Sequence, residues 1–133
     1  MKFFIICLLM IVLSPSLILL AESPNKKTQI SSNTVKSLLN GLASDNLGLK
    51  TSSAYMLGEL KIKTAVIPLM RTLRNDKCDE AKIAAALALY KLGTSMSINA
   101  LYQAYRFESC ERVKRMCYRF YIDYMSAQNS LIE

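Results

Sequence analysis

Residues 49–76, LKTSSAYMLGELKIKTAVIPLMRTLRND, decide the fold, because the chain repeats their pattern at residues 81–108, AKIAAALALYKLGTSMSINALYQAYRFE. At an offset of 32 residues Lys50 falls on Lys82, Ser53-Ala54 on Ala85-Ala86, Leu57 on Leu89, Leu60 on Leu92, Val66 on Ile98, Leu69 on Leu101, Leu73 on Tyr105 and Arg74 on Arg106. A fixed period of about 20 to 50 residues marks a stacked repeat array, in which each unit buries its apolar face against the next. Each copy carries two apolar stripes at helical spacing: Ser53, Ala54, Leu57 and Leu60, then Val66, Leu69, Met70 and Leu73. Small residues in the first stripe let a neighbouring helix approach closely. Between the stripes lies Lys61-Ile62-Lys63-Thr64, where Thr64 is placed to cap the second helix, and Pro68 falls early enough in that helix to be tolerated. The unit expected from this punctuation is a helical hairpin.

The pattern Lys50-x-x-Ser53-Ala54-x-x-Leu57-Gly58-x-Leu60, followed by Ala65-Val66-x-Pro68-Leu69, resembles the HEAT-like repeat of the phycobilisome-lyase type. The second copy follows it through Lys82, Ala85-Ala86, Leu89, Leu92-Gly93, Ile98 and Leu101, with Tyr90 and Ala100 where that family favours Gly and Pro. The resemblance implies an all-α fold, a short right-handed α-α superhelix or solenoid of stacked hairpins whose second helices line the concave, ligand-binding side.

Outside the copies the chain divides cleanly. Met1-Lys2 followed by an uncharged run from Phe3 to Ala21 has the form of a secretory signal peptide, with cleavage expected near Ala21; an uncleaved anchor is the alternative. Residues 22–32 are polar and are expected to form a disordered spacer. The repeat domain is expected over 33–126, with Asn33 or Thr34 capping a first helix whose Val35, Leu38, Leu39 and Leu42 match the second stripe of a copy at an offset of 31. Residues 110–125 begin a further unit in phase, Lys114 over Lys82 and Cys117 over Ala85, before a flexible tail at 127–133. This gives two full repeats flanked by two half repeats, six helices in all.

Seventeen Lys and Arg against ten Asp and Glu give a net charge of +7, or +6 once Lys2 leaves with the leader. Such a balance suits an acidic protein face, a membrane surface or another polyanion, and export argues against nucleic acid. Asp45, Asp76, Asp79 and Glu80 precede or open helices, where capping is the expected role. The chain has no His, which removes Ser/His, Cys/His and His-ligated metal chemistry, and it has no phosphate-cradling glycine loop. No catalytic residue, cofactor or metal is implied. Cys78 and Cys110 occupy equivalent loop positions and are candidates for a bridge in an oxidising compartment, although stacked helices stand about 10 Å apart against a usual limit of about 7 Å between Cα atoms. Cys117 replaces a packed Ala and reads as core.

Two faces are candidates for a partner. Arg71 and Arg74, with Gln103 and Arg106 at the equivalent places, are expected to form a ladder along the flank of the second helices, bordered by Tyr102 as an apolar anchor. The last helix offers Arg112, Arg115 and Arg119 in one stripe beside Tyr118 and Tyr121; the alternative there is a polar terminal cap, with Arg119 pairing Asp123. The function expected is a non-enzymatic protein–protein interaction module or scaffold of the bacterial cell envelope, periplasmic or secreted, binding a protein with an acidic face or self-associating, without stable membrane insertion after processing. The resemblance also admits an enzyme subunit of the bilin-lyase type, and the charge a binder of polyanionic surfaces.

Overall fold

The computed structural model describes residues 30–131. The leader expected at 1–21 and nearly all of the spacer lie outside the described residues. Six α-helices and one 3₁₀ turn make up the regular structure: α1 (Ser32–Leu42), α2 (Leu47–Glu59), the 3₁₀ turn Lys63–Ala65, α3 (Val66–Asn75), α4 (Asp79–Leu92), α5 (Ser95–Phe107) and α6 (Glu111–Asn129). Among the described residues there is no strand, so the fold is all-α, as the 3.6-residue stripes require. None of these helices is long and apolar enough to cross a membrane.

Side-chain oxygens open three of the helices by satisfying N–H groups that have no partner in the first turn. Ser31 accepts from the N–H of Asn33 at 3.2 Å, Asn46 from that of Leu49 at 2.9 Å, and Thr94 from that of Ser97 at 3.1 Å. Ser31, and not Asn33 or Thr34, is thus the first cap, and the domain starts a residue earlier than expected. Thr64 caps nothing, because it lies within the 3₁₀ turn. There the Val66 N–H donates to the Lys63 carbonyl, which uses the donor a Thr64 cap would have reached. Gly93 ends α4 at a φ of 61°, a left-handed conformation that glycine adopts without steric cost. α6 continues past the expected boundary at 126 because neither Gly nor Pro interrupts Ser126-Ala127-Gln128.

The closest antiparallel neighbours are α1 with α2, α3 with α4, and α5 with α6. The hairpins are therefore framed one helix out of step with the sequence copies, since α2 and α3, which together make the first copy, barely touch. Links of two to five residues lay helices side by side; three or four residues join α1 to α2, α3 to α4 and α5 to α6, and two join α4 to α5, whereas the longer passage from Leu60 to Ala65, with Lys61 at a φ of 53°, carries α3 away from α2. In this frame the two full copies and two half repeats become three complete hairpins, about the number a repeat array needs to bury a continuous core.

The helices stack in two layers, α2, α4, α6 and α1, α3, α5. Contact is extensive within the first layer and sparse within the second. Small residues are the cause: a Cβ added at Gly58 would stand 2.8 Å from the Ala88 Cα, so the backbones of α2 and α4 touch. Leu57, Leu69, Leu89, Leu101, Val113 and Cys117 fill the interior between the layers and are fully buried. Four ion pairs link one hairpin to the next, and two of them are largely buried. Lys50 on α2 donates to Asp76 at 2.6 Å, and Lys82 on α4 to Glu108 at 2.9 Å. Each carboxylate also accepts a backbone N–H at the start of the next helix, Asp76 from Cys78 at 2.9 Å and Glu108 from Cys110 at 3.1 Å. One acid thus braces the link within its own hairpin and ties that hairpin to the preceding one.

Candidate functional site

Because the second layer is splayed, a groove opens between α3 and α5. It encloses about 380 Å³, with Met70, Leu73, Ala100 and Ala104 as an apolar floor and Arg74 and Gln103 on its walls. A second hollow of about 230 Å³ continues it along α3, lined by Ile67, Met70, Arg71, Arg74 and Asn75. Arg74 borders both. Arg71 and Arg74 are exposed, and of the four ion pairs among the described residues none includes either. The Lys82–Glu108 pair closes one end of the groove, where Phe107 stands 77% exposed.

Of the five residues expected on one flank, the structure brings together Arg71, Arg74 and Gln103 and separates Tyr102 and Arg106. Tyr102 turns toward α6, its ring centroid 5.3 Å from that of Tyr121, while Tyr105 meets Tyr118 at 4.8 Å. Arg106 follows it, donating from Nη1 to the Tyr102 hydroxyl at 2.9 Å and lying over the Tyr102 and Phe107 rings. The physical reason is position in the stack. Tyr102, Tyr105 and Arg106 are the counterparts of Met70, Leu73 and Arg74, which face α5; among the described residues no further helix of that layer lies beyond α5, and the tyrosines lie on α6 instead.

On α6 one stripe faces the core: Val113 and Cys117, the latter read as core from the sequence, are fully buried, Phe120 stacks on Tyr90, and the Tyr124 hydroxyl donates to the Gly93 carbonyl at 3.2 Å. The arginine stripe is not uniform. Arg112 pairs with Glu80 at 2.7 Å, and the two groups shift each other: the hydrogen bond and charge of Arg112 lower the Glu80 carboxyl, and Glu80 raises the guanidinium. Arg115 and Arg119 are exposed, and the expected Arg119–Asp123 pair is not among those formed. Arg115 and Arg119 occupy the places of Ile83 and Leu87 one period earlier.

The acids at the hairpin joints titrate low. Burial of Asp76 opposes its ionisation, but the Lys50 hydrogen bond, the Cys78 N–H and the charges of Lys50 and Lys82 outweigh it; Glu108 is held low in the same way by Lys82 and the N–H groups of Cys110 and Ser109. Asp76 does not cap α4 as expected: it accepts the N–H of Cys78, the residue before the helix, and no side chain among the described residues caps the first turn. At Asp45 the neighbouring Asn46 is the cap, and Asp79 and Glu80 spend their carboxylates on Cys110 and Arg112. Cys78 and Cys110 are both free thiols, so the bridge considered between them is not formed; the Cys110 thiol donates instead to Asp79 Oδ2 at 2.9 Å. Cys117 is buried, and that burial, with the charge of Glu108 behind it, pushes its thiol up to about 12, which makes it inert. No protein-family model matches the chain, and no curated protein matches it.

Proposed function

We propose that the chain is an exported, non-enzymatic interaction module of the bacterial cell envelope, HEAT-like in its repeats, that holds a partner protein with an acidic face in the groove between α3 and α5. One observation carries this reading: an apolar floor lies beside two arginines that no carboxylate among the described residues engages. Apolar contact supplies the affinity of such a site and unpaired guanidinium groups supply its direction, since Arg forms paired hydrogen bonds to carboxylates. The most buried thiol, Cys117, is held protonated. Export rests on the leader-like residues 1–21.

The test is capture of the partner from the envelope fraction with the natively processed chain. Replacing Arg71 and Arg74 together by Ala is expected to weaken capture in a salt-dependent manner while leaving thermal unfolding unchanged, because both side chains are exposed. Arg106→Ala, in the separate tyrosine cluster, serves as the comparison. Undiminished capture by the double variant, with loss in a variant lacking Arg112, Arg115 and Arg119, would move the binding face to α6.

A further inference from the structure

The two ends of the stack each leave half of a repeated contact open. Between α2 and α4, Gly58 meets Ala88; between α4 and α6, Tyr90 meets Phe120, the same two positions one period later, with ring centroids 5.3 Å apart. Ile122 follows Tyr90 by 32 residues, and Met56 precedes Ala88 by 32. They are the unmatched members of the series, and both are large apolar side chains left exposed, Ile122 at 39% and Met56 at 40%. The charged series ends the same way. Lys50 and Lys82 each reach a carboxylate at the end of the next hairpin's first helix. Lys114, one period on, has no acidic partner among the described residues. At the other end Ser44 stands where Asp76 stands: its hydroxyl accepts the Asn46 N–H at 3.1 Å as Asp76 accepts that of Cys78. The exposed carboxylate of Asp45 lies beside it.

We infer that the chain associates head to tail with further copies of itself, the hairpin α1–α2 of one copy stacking on α5–α6 of another, so that Ile122 covers Met56 and Lys114 reaches Asp45. The period that stacks hairpins within the chain is continued between chains. A second copy is the occupant because the two halves of the contact, apolar and ionic, stand at opposite ends of one sequence in the register the repeat prescribes. The contacts of Lys91 with the Tyr55 ring and with Glu59, carried forward two periods, bring Arg119 and Asp123 to Glu59 of the next copy, so that Arg119 lies between two carboxylates. The polar outer side of α1, with Lys36, Ser37 and Asn40 exposed, is no obstacle, since the helices of the α1, α3, α5 layer touch sparsely even within the molecule. An interface of this kind is heterologous, so it builds chains or rings and does not stop at a dimer.

The experiment is sedimentation velocity of the natively processed chain from micromolar to millimolar concentration, with Met56→Asp and Ile122→Asp as variants. The unaltered chain is expected to form dimers and longer species as concentration rises. Each variant alone is expected to remain a monomer with an unchanged melting temperature, both positions being exposed. Mixed in equal amounts they are expected to form one-to-one dimers and nothing longer, because Met56→Asp keeps an intact α6 end and Ile122→Asp an intact α2 end. A monomer at every concentration overturns the proposal, as does association by Ile122→Asp alone. Dimerisation by Met56→Asp alone also overturns it, in favour of a two-fold contact between α6 ends.

Discussion

Gly58 against Ala88 joins α2 to α4, and Tyr90 against Phe120 joins α4 to α6: the same pair of positions, filled once by the smallest side chains and once by aromatic rings. The first interface brings backbones into contact and is the more extensive of the two; the second is held open by two stacked rings. The repeat therefore fixes which positions meet, while side-chain volume fixes how far apart the helices stand. The ion pairs tolerate both spacings because Lys50 and Lys82 lie near the starts of their helices, before Gly58 and Tyr90 set the separation.

The sharpest way to break this comparison is to put volume where the first interface has none. Gly58→Leu is expected to cost about 3 kcal/mol or more in urea unfolding, because the added atoms meet the Ala88 backbone, which cannot rotate away. Even Gly58→Ala should lose stability despite a helix-propensity gain of about 1 kcal/mol. The second interface should respond in the opposite sense, suffering from lost volume. Phe120→Ala is expected to cost about 2 kcal/mol, below the range for a fully buried ring because Phe120 is only partly covered.

The period, the helix count, the core leucines and the pairing of positions 32 residues apart were all legible in the sequence, since each depends only on spacing. The frame of the hairpins was not, because a period has no origin: the same stripes read equally as α2–α3 or α3–α4, and link geometry chooses. The groove was half legible. Arg71, Arg74 and Gln103 follow from helical azimuth, but Tyr102 and Arg106 obey the end of the stack, where among the described residues no further helix of that layer receives them. Phe107 carried no signal, standing outside every apolar stripe at a place where the first copy has Asn75.

Acid sharpens the comparison from the side of the ion pairs. Both Asp76 and Glu108 bind protons less readily folded than unfolded. Their stabilisation is therefore complete above the unfolded carboxylate value of about 4 and is lost as pH falls through the lower folded values. The melting temperature is expected to drop steeply below about pH 4, and an Asp76→Asn, Glu108→Gln double variant to flatten that drop. At neutral pH Glu108→Gln alone is expected to cost about 1 kcal/mol, since Lys82 is left partly buried with a weaker acceptor. A double variant with an unaltered acid profile would assign the drop to other carboxylates and leave the hairpin joints without electrostatic weight.

The smallest effect is expected at the most exposed of the cross-hairpin ion pairs, Glu80–Arg112, and it tests whether burial or distance separates the strong joints from the weak. At 2.7 Å this pair is as short as Lys50–Asp76, yet its side chains are 54% and 52% exposed against 16% and 12%. Water around both groups screens their attraction, and holding two long side chains in one arrangement costs rotamer freedom. Arg112→Gln is accordingly expected to leave the melting temperature unchanged at physiological salt, with a small decrease appearing only at low ionic strength. If instead it lowered stability as much as Glu108→Gln, the distance between the charges would be what matters, and the contrast drawn between buried joints and exposed rim would have to be abandoned.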